Sequence, residues 1–286
     1  MAKPFTADPA ELDRFREVQQ LAYRCAETVA GGLEAGVTER EVADRMRTWL
    51  LDQGVDDWFH LPFAWFGDRT AFRGIRQPLQ FFPGDRRLGE EMPYILDCAP
   101  IVGGVCADIG YSGSLAPNPT LDLVMDDLQA HRSLILDLVR KRRSFRDIYR
   151  EVDRLIVRQG LENRHRAYPQ GVIAHQVGRL PDRPGPRPLF RFGPRSVRWL
   201  ARTTLVAGRQ GWSPLWNGSR RSDHPPVPGL WAVEPHLAFR GVGAKFEELL
   251  VVTEQDAFWL DEDLPHVRRW AARATTVPTP PEVPVP

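Results

Sequence analysis

Cysteine is scarce in this sequence: Cys25, Cys98 and Cys106 are the three in 286 residues. No two have the spacing of a metal knuckle, and an odd number argues against a disulfide framework. Reduced thiols in a cytoplasmic protein are the expectation. Long apolar runs are absent too. None approaches the roughly 18 residues that a membrane span needs, so no membrane partner is expected. The opening Met-Ala-Lys-Pro-Phe leads into a charged amphipathic segment instead of an apolar core, so no signal peptide is expected. Neither sign of charge dominates: 38 Lys and Arg stand against 37 Asp and Glu, a formal net charge of +1. That balance implies no general attraction to nucleic acid or anionic membranes. What remains is ordinary for a globular chain, with 42% hydrophobic and 26% charged residues. Such a chain can bury a sizeable core as one large domain or two small ones.

The local signals predict an alternation of helices and strands. Asp8 and Pro9 mark a helix start, and Leu12, Phe15, Val18, Leu21 and Ala22 fall on one stripe reaching about Leu33. Thr38 with Glu41 three residues later forms a capping box for a second helix, to about Gln53. From Trp58 to Phe72 the aromatic run favours strands and loops. The stretch 94–110 reads as two strands joined at Gly103-Gly104. Two helices are predicted over about 121–142 and 144–159, the second capped by Ser144. Segment 164–178 reads as loop and strand. Segment 180–229, rich in Pro, Gly, Arg and Trp, has weak periodicity and reads as a long active-site loop or a loosely structured insertion. Strand patterns return at 230–239 and 245–253, a short helix is predicted at 266–273, and a mobile proline-rich tail at 277–286.

The chemistry lies in acids set within strand-like runs. Asp97 closes an apolar run, and Asp108 follows eleven residues later across the Gly-Gly turn. Glu234 closes Leu-Trp-Ala-Val-Glu, and Glu247 sits in Lys-Phe-Glu-Glu-Leu-Leu-Val-Val. Burying such carboxylates together is costly unless a cation intervenes. His175, in Val-Ile-Ala-His-Gln-Val-Gly, adds a nitrogen donor. Four carboxylates and one imidazole suit two divalent cations sharing bridging oxygens.

In order and local wording, ILDCAPIVGGVCADIG, AHQVG, VEPHL and KFEELLVVTE resemble the pita-bread metallopeptidases, the family of methionine aminopeptidase, aminopeptidase P, prolidase and creatinase. The resemblance runs from about Leu12 to Leu260. It implies an α/β fold with a curved antiparallel sheet backed by helices, over a catalytic-type domain at 1–276 carrying the insertion near 180–229. It implies metal ligands at Asp97, Asp108, His175, Glu234 and Glu247, with two divalent ions, manganese first and cobalt, iron or zinc as alternatives. It implies hydrolysis of a small peptide or amide by a hydroxide bridging the metals, with Glu234 shuttling the proton.

Two histidines that bind substrate in that family have no counterpart at the matching positions, which carry Gln80 and Asp182. His60, in Trp58-Phe59-His60-Leu61-Pro62, is the candidate catalytic replacement; a structural histidine among aromatics is the alternative. The missing imidazoles keep two rivals open: a C–N hydrolase or lyase acting on a small carboxylated metabolite, and a non-catalytic pita-bread binding module. The arginines between Arg179 and Arg221 read either as a rim that draws in a carboxylate-bearing substrate or as a solvated surface or protein contact. A nucleic-acid partner is disfavoured because no binding module accompanies them. Trp199, Trp212, Trp216 and Trp231 either wall a pocket or pack in the core. A homodimer is compatible with this reading.

Overall fold

In the computed structural model, residues 8–181 and 187–276 are described. The proline-rich tail at 277–286 and Asp182 lie outside them.

The N-terminal half is two helices laid on an antiparallel sheet. Helix α1 spans Pro9–Gly31, with the Asp8 side chain accepting from the Ala10 N–H at 3.1 Å. Helix α2 spans Glu39–Asp52. Its capping box forms: Glu41 accepts from the Thr38 backbone N–H at 2.7 Å, and the Thr38 hydroxyl accepts from the Glu41 N–H at 3.2 Å. Strands β1 (Asp57–Phe66), β2 (Pro93–Val102), β3 (Val105–Cys106) and β4 (Ile109–Ser114) follow, with β2 paired antiparallel to the other three. Gly103 and Gly104 have φ of 55° and 78°, the double left-handed geometry that the predicted two-residue turn needs. Ala22, Ala26, Met46 and Leu50 of the helices pack with Phe66, Leu96 and Ile109 of the sheet.

The second half repeats the plan. Helices α3 (Pro119–Arg140) and α4 (Phe145–Arg158) cover further antiparallel strands: β5 (Glu162–Asn163), β6 (Ala174–Val177), and, after α5 (Pro194–Arg209), β7 (Leu215–Trp216), β8 (Gly229–Val233), β9 (His236–Phe239), β10 (Val242–Lys245), β11 (Glu248–Val252) and β12 (Ala257–Trp259). One sheet runs β12-β11-β8-β6-β7 and another β10-β9-β5. Helix α6 (Pro265–Thr276) closes against α3. Trp216 stacks on Phe145 at 4.1 Å between centroids, and Trp231 meets Phe145 edge-on at 4.6 Å. Both tryptophans therefore belong to the core. Each such aromatic pair adds about 0.5–1.5 kcal/mol beyond area burial.

Two expectations need correction. Segment 180–229 contains a sixteen-residue helix, α5, where a loop or loose insertion was predicted. Its buried face is only Ser196 and Ala207, while Val197, Leu205 and Val206 point outward. The apolar residues of this helix stay largely at the surface instead of marking a core. The Ser196 hydroxyl donating to the Trp58 carbonyl at 3.0 Å holds it in place. The run 230–239 is also two strands. Pro235 lacks an N–H for the ladder, and the chain breaks there.

No helix among the described residues is long and apolar enough to cross a membrane.

Candidate metal centre

Five segments converge between the two sheet systems. Asp97 lies mid-strand on β2, opposite Phe63 on one side and Gly110 on the other. Asp108 immediately precedes β4, and His175 is on β6, opposite Ala232 of β8. Glu234 follows β8, its N–H held by the Ile173 carbonyl at 2.8 Å. Glu247 lies between β10 and β11, and an isolated bridge from Gly110 to Glu247 joins the two halves there. All five side chains are buried.

His60 enters the same cluster from β1. The β1–β2 register shifts on both sides of His60, and such bulges re-aim a side chain. Its Nδ1 lies 3.0 Å from the Leu61 carbonyl and its Nε2 3.2 Å from Asp108 Oδ1 and 3.3 Å from Asp97 Oδ1. The Nε2 of His175 sits 3.2 Å from Asp108 Oδ2 and 4.0 Å from Glu247 Oε1. The two carboxylate oxygens of Asp108 thus face two imidazoles. Phe59 stacks on His175 at 4.9 Å, and Phe63 lies 5.1 Å from His60. Phe192 reaches the edge of β1 through a bridge with His60. Gly193 allows that approach: its N–H bonds the Phe59 carbonyl at 2.9 Å, and an added Cβ would lie 1.8 Å from the Trp58 carbonyl oxygen.

Lys245, at the end of β10, was not singled out from the sequence. It is fully buried, and its ammonium donates to Asp97 Oδ2 at 2.7 Å, Glu234 Oε2 at 2.8 Å and Glu247 Oε2 at 2.7 Å. The strand period of two held the clue, since Lys245 and Glu247 flank Phe246 and share a face.

These neighbours set the protonation tendencies. Burial opposes charge on His60, but the Asp108 and Asp97 carboxylates outweigh it and raise the imidazole to about 9. His175 is raised in the same way, burial again being overcome, here by its bond to Asp108. Burial also works against the Asp108 carboxylate, yet the two imidazoles hold it below its ordinary range. Burial, with Asp108 and Glu234 nearby, pushes Glu247 well up. Burial raises Glu234 despite the Lys245 charge. Burial disfavours the Lys245 ammonium, but Asp97, Glu234 and Glu247 together hold its proton well above the usual lysine range.

Two sets of ligand atoms have the closeness that a bound cation needs: His60, Asp97 and Asp108, and Asp108, His175 and Glu247, each lying within 4.8 Å of one another. Mixed imidazole and carboxylate donors in a buried cluster fit a divalent ion.

Gln80 is elsewhere. It lies exposed in the short helical turn Pro78–Phe81, where its side-chain oxygen accepts from the Arg76 and Gln77 N–H groups at 2.6 and 2.9 Å. Local capping of a turn explains it, not a place facing the centre. The arginine segment divides. Arg191 lies over the Phe63 ring at 5.3 Å, and Arg195 pairs with buried Asp57 at 3.3 Å. Arg179, Arg187, Arg198, Arg202, Arg209, Arg220 and Arg221 are exposed.

Antiparallel sheets backed by helices, with acids converging between them, define a pita-bread fold. The chain belongs to metallopeptidase family M24, whose model matches residues 13–254. The X-Pro aminopeptidase of Thermotoga maritima MSB8 superposes with a TM-score of 0.64 and 17% identity, over 91% of this chain and 62% of that one. The prolidase of Pyrococcus furiosus gives a TM-score of 0.60 at 14% identity, over 88% of this chain and 64% of that one. An uncharacterized peptidase of Staphylococcus aureus (strain bovine RF122 / ET3-1) is 31% identical over 100 residues, which is 35% of this chain and 26% of that protein.

Proposed function

We propose that this chain is a metal-dependent hydrolase acting on a small peptide or amide. The observation that supports it best is the convergence of His60, Asp97, Asp108, His175 and Glu247, from separate segments, into a buried cluster with ligand atoms close enough to hold a cation, Glu234 being tied to it through Lys245. Asp108, His175 and Glu247 would hold it, with Asp97 and His60 adjoining. A divalent ion held there would supply an activated water and polarise a substrate carbonyl. Oxygen donors favour manganese, whereas the two imidazoles also suit zinc, iron or cobalt.

The chain's own groups supply the rest. Glu234, raised by burial, is suited to take a proton from water and pass it to the leaving amine. Lys245 fixes that carboxylate at 2.8 Å. His60 would sit beside the substrate oxygen, its Nδ1 directed to the Leu61 carbonyl. Phe59, Phe63 and Phe192 surround the two imidazoles, a wall that suits an apolar substrate side chain and limits water.

A panel of dipeptides and Xaa-Pro peptides, assayed with Mn, Co, Fe or Zn, tests this reading. Amino acids should be released only with metal, and Asp97→Ala and His175→Ala should be silent. Unchanged turnover in those variants would refute the mechanism. The presence of Lys245 among the acids favours a second reading, a C–N hydrolase or lyase acting on a small carboxylated metabolite. In that case the peptide panel is inert and carboxylated amides are consumed. A binding module with no metal-dependent turnover is the remaining outcome.

A further inference from the structure

Lys245 is held by its backbone, its stem and its head at once. Its N–H donates to Ser112 Oγ at 3.0 Å, and its carbonyl accepts from the same hydroxyl at 2.9 Å, which ties the end of β10 to β4. Its stem passes directly over Gly110, where an added Cβ would lie 2.4 Å from the lysine Cε. Its ammonium has three protons and meets three carboxylates, so every donor is used. The Tyr168 ring faces it at 5.2 Å. A lysine packed in this way is a built constituent of the centre.

The carboxylate oxygens divide between two sides. Asp97 gives Oδ2 to Lys245 and turns Oδ1 toward His60. Glu247 gives Oε2 to Lys245 and turns Oε1 toward His175. Asp108, between the imidazoles, gives one oxygen to each. The oxygens on the Lys245 side are already neutralised by a fixed positive charge. A divalent ion placed among them would meet that charge at close range in a buried, low-dielectric site.

We propose that the Lys245 ammonium takes the place of one of two divalent ions, so that the centre binds a single divalent cation per chain, around Asp108 on the imidazole side. This rests on the metal-dependent hydrolase reading and narrows it. The ammonium provides the fixed charge that holds Asp97, Glu234 and Glu247 together, and the one bound ion would supply the activated water.

The test is the stoichiometry of Mn(II) on the metal-free full chain, by calorimetric titration and by elemental analysis after desalting. The wild type should bind one ion per chain, and its electron paramagnetic resonance spectrum should be that of isolated ions. Lys245→Met keeps the stem and removes the charge; it should bind two ions per chain and give the spectrum of an exchange-coupled pair. Two ions or a coupled pair in the wild type would overturn the inference and leave the hydrolase reading intact. No ion in the wild type would overturn both. A folded Lys245→Met that stays at one ion would also overturn it. If that variant does not fold, the wild-type count and spectrum decide alone.

Discussion

Glu247 and Glu248 are neighbours in the chain and opposites in the fold. Glu247 turns into the candidate centre, beside Asp108, Glu234, Asp97 and Lys245. Glu248 turns to the other face and meets hydrogen-bond donors: Arg132 grips both its oxygens at 2.7 and 3.1 Å, and His266 Nε2 lies 3.0 Å away. Burial would raise both acids. The partners decide otherwise for Glu248, whose carboxyl is lowered by His266 and Arg132 against burial, while Glu247 is pushed well up. One cluster is satisfied by its own residues and binds α3, β11 and α6 together. The other contains more acid than its own cations balance, and that surplus is what a divalent ion would relieve. The lesson is that equal burial of a charge has opposite meaning depending on what faces it.

The largest effect should come from breaking the metal-facing cluster at its middle. Asp108→Ala removes the carboxylate shared by both imidazoles, and metal affinity measured by titration should fall by more than about 100-fold, beyond what loss of an outer partner costs. Its turnover should vanish while the protein stays folded by circular dichroism; a variant that keeps wild-type affinity would remove Asp108 from the ligand set.

Breaking the other cluster should cost stability and spare chemistry. Glu248→Ala takes both bonds from the buried Arg132 guanidinium, leaving it only the exposed Glu262 carboxylate and the Asp261 carbonyl, and denaturant unfolding should show a loss of about 3–5 kcal/mol. Metal stoichiometry in the folded fraction should be unchanged. A loss under about 1 kcal/mol would mean that solvent reaches Arg132 and the cluster is not structural.

The neighbouring substitution should have the reverse sign. Glu247→Gln relieves repulsion from Asp108 and Glu234, so the metal-free variant should be more stable than wild type by about 1 kcal/mol, the common cost of function to stability. It should bind metal more weakly. Destabilisation of the metal-free form instead would show that the bond to Lys245 outweighs the repulsion.

The last contrast is a slope with pH. His60 is raised to about 9 in the fold from an ordinary value of roughly 6.5. A raised imidazole stabilises the fold fully below the ordinary value and loses that contribution as pH climbs through about 9. The metal-free protein should therefore melt at falling temperature across that window, and His60→Phe should flatten the curve. Glu248, lowered in the fold, contributes above the ordinary glutamate range and fails only in acid. Identical melting curves for His60→Phe and wild type between pH 6 and 9 would show that the imidazole carries no charge there.

Much of this was legible in the sequence, where local rules operate. Asp8, Thr38 with Glu41, and Ser144 each cap the helix that follows them. Gly103-Gly104 makes its turn because both residues need a positive φ. The order of Asp97, Asp108, His175, Glu234 and Glu247 was readable because an acid in or at the end of an apolar, strand-like run is unusual enough to stand out. Helix α5 is obscured in the sequence by the Pro, Gly and Arg residues around it, and its buried face is limited to Ser196 and Ala207. Gln80 was matched to a site position by spacing along the chain, and the turn at 78–81 put it on the surface instead.

The sequence alone determined the helix caps, the tight turns, the acids set in or beside apolar runs and the family they resemble, because each depends on residues a few positions apart. Only the tertiary structure decided that His60 joins the acids, that Glu247 and Glu248 part company, and that Lys245 holds three carboxylates. Those outcomes depend on which faces of distant strands meet, and no spacing along the chain specifies that.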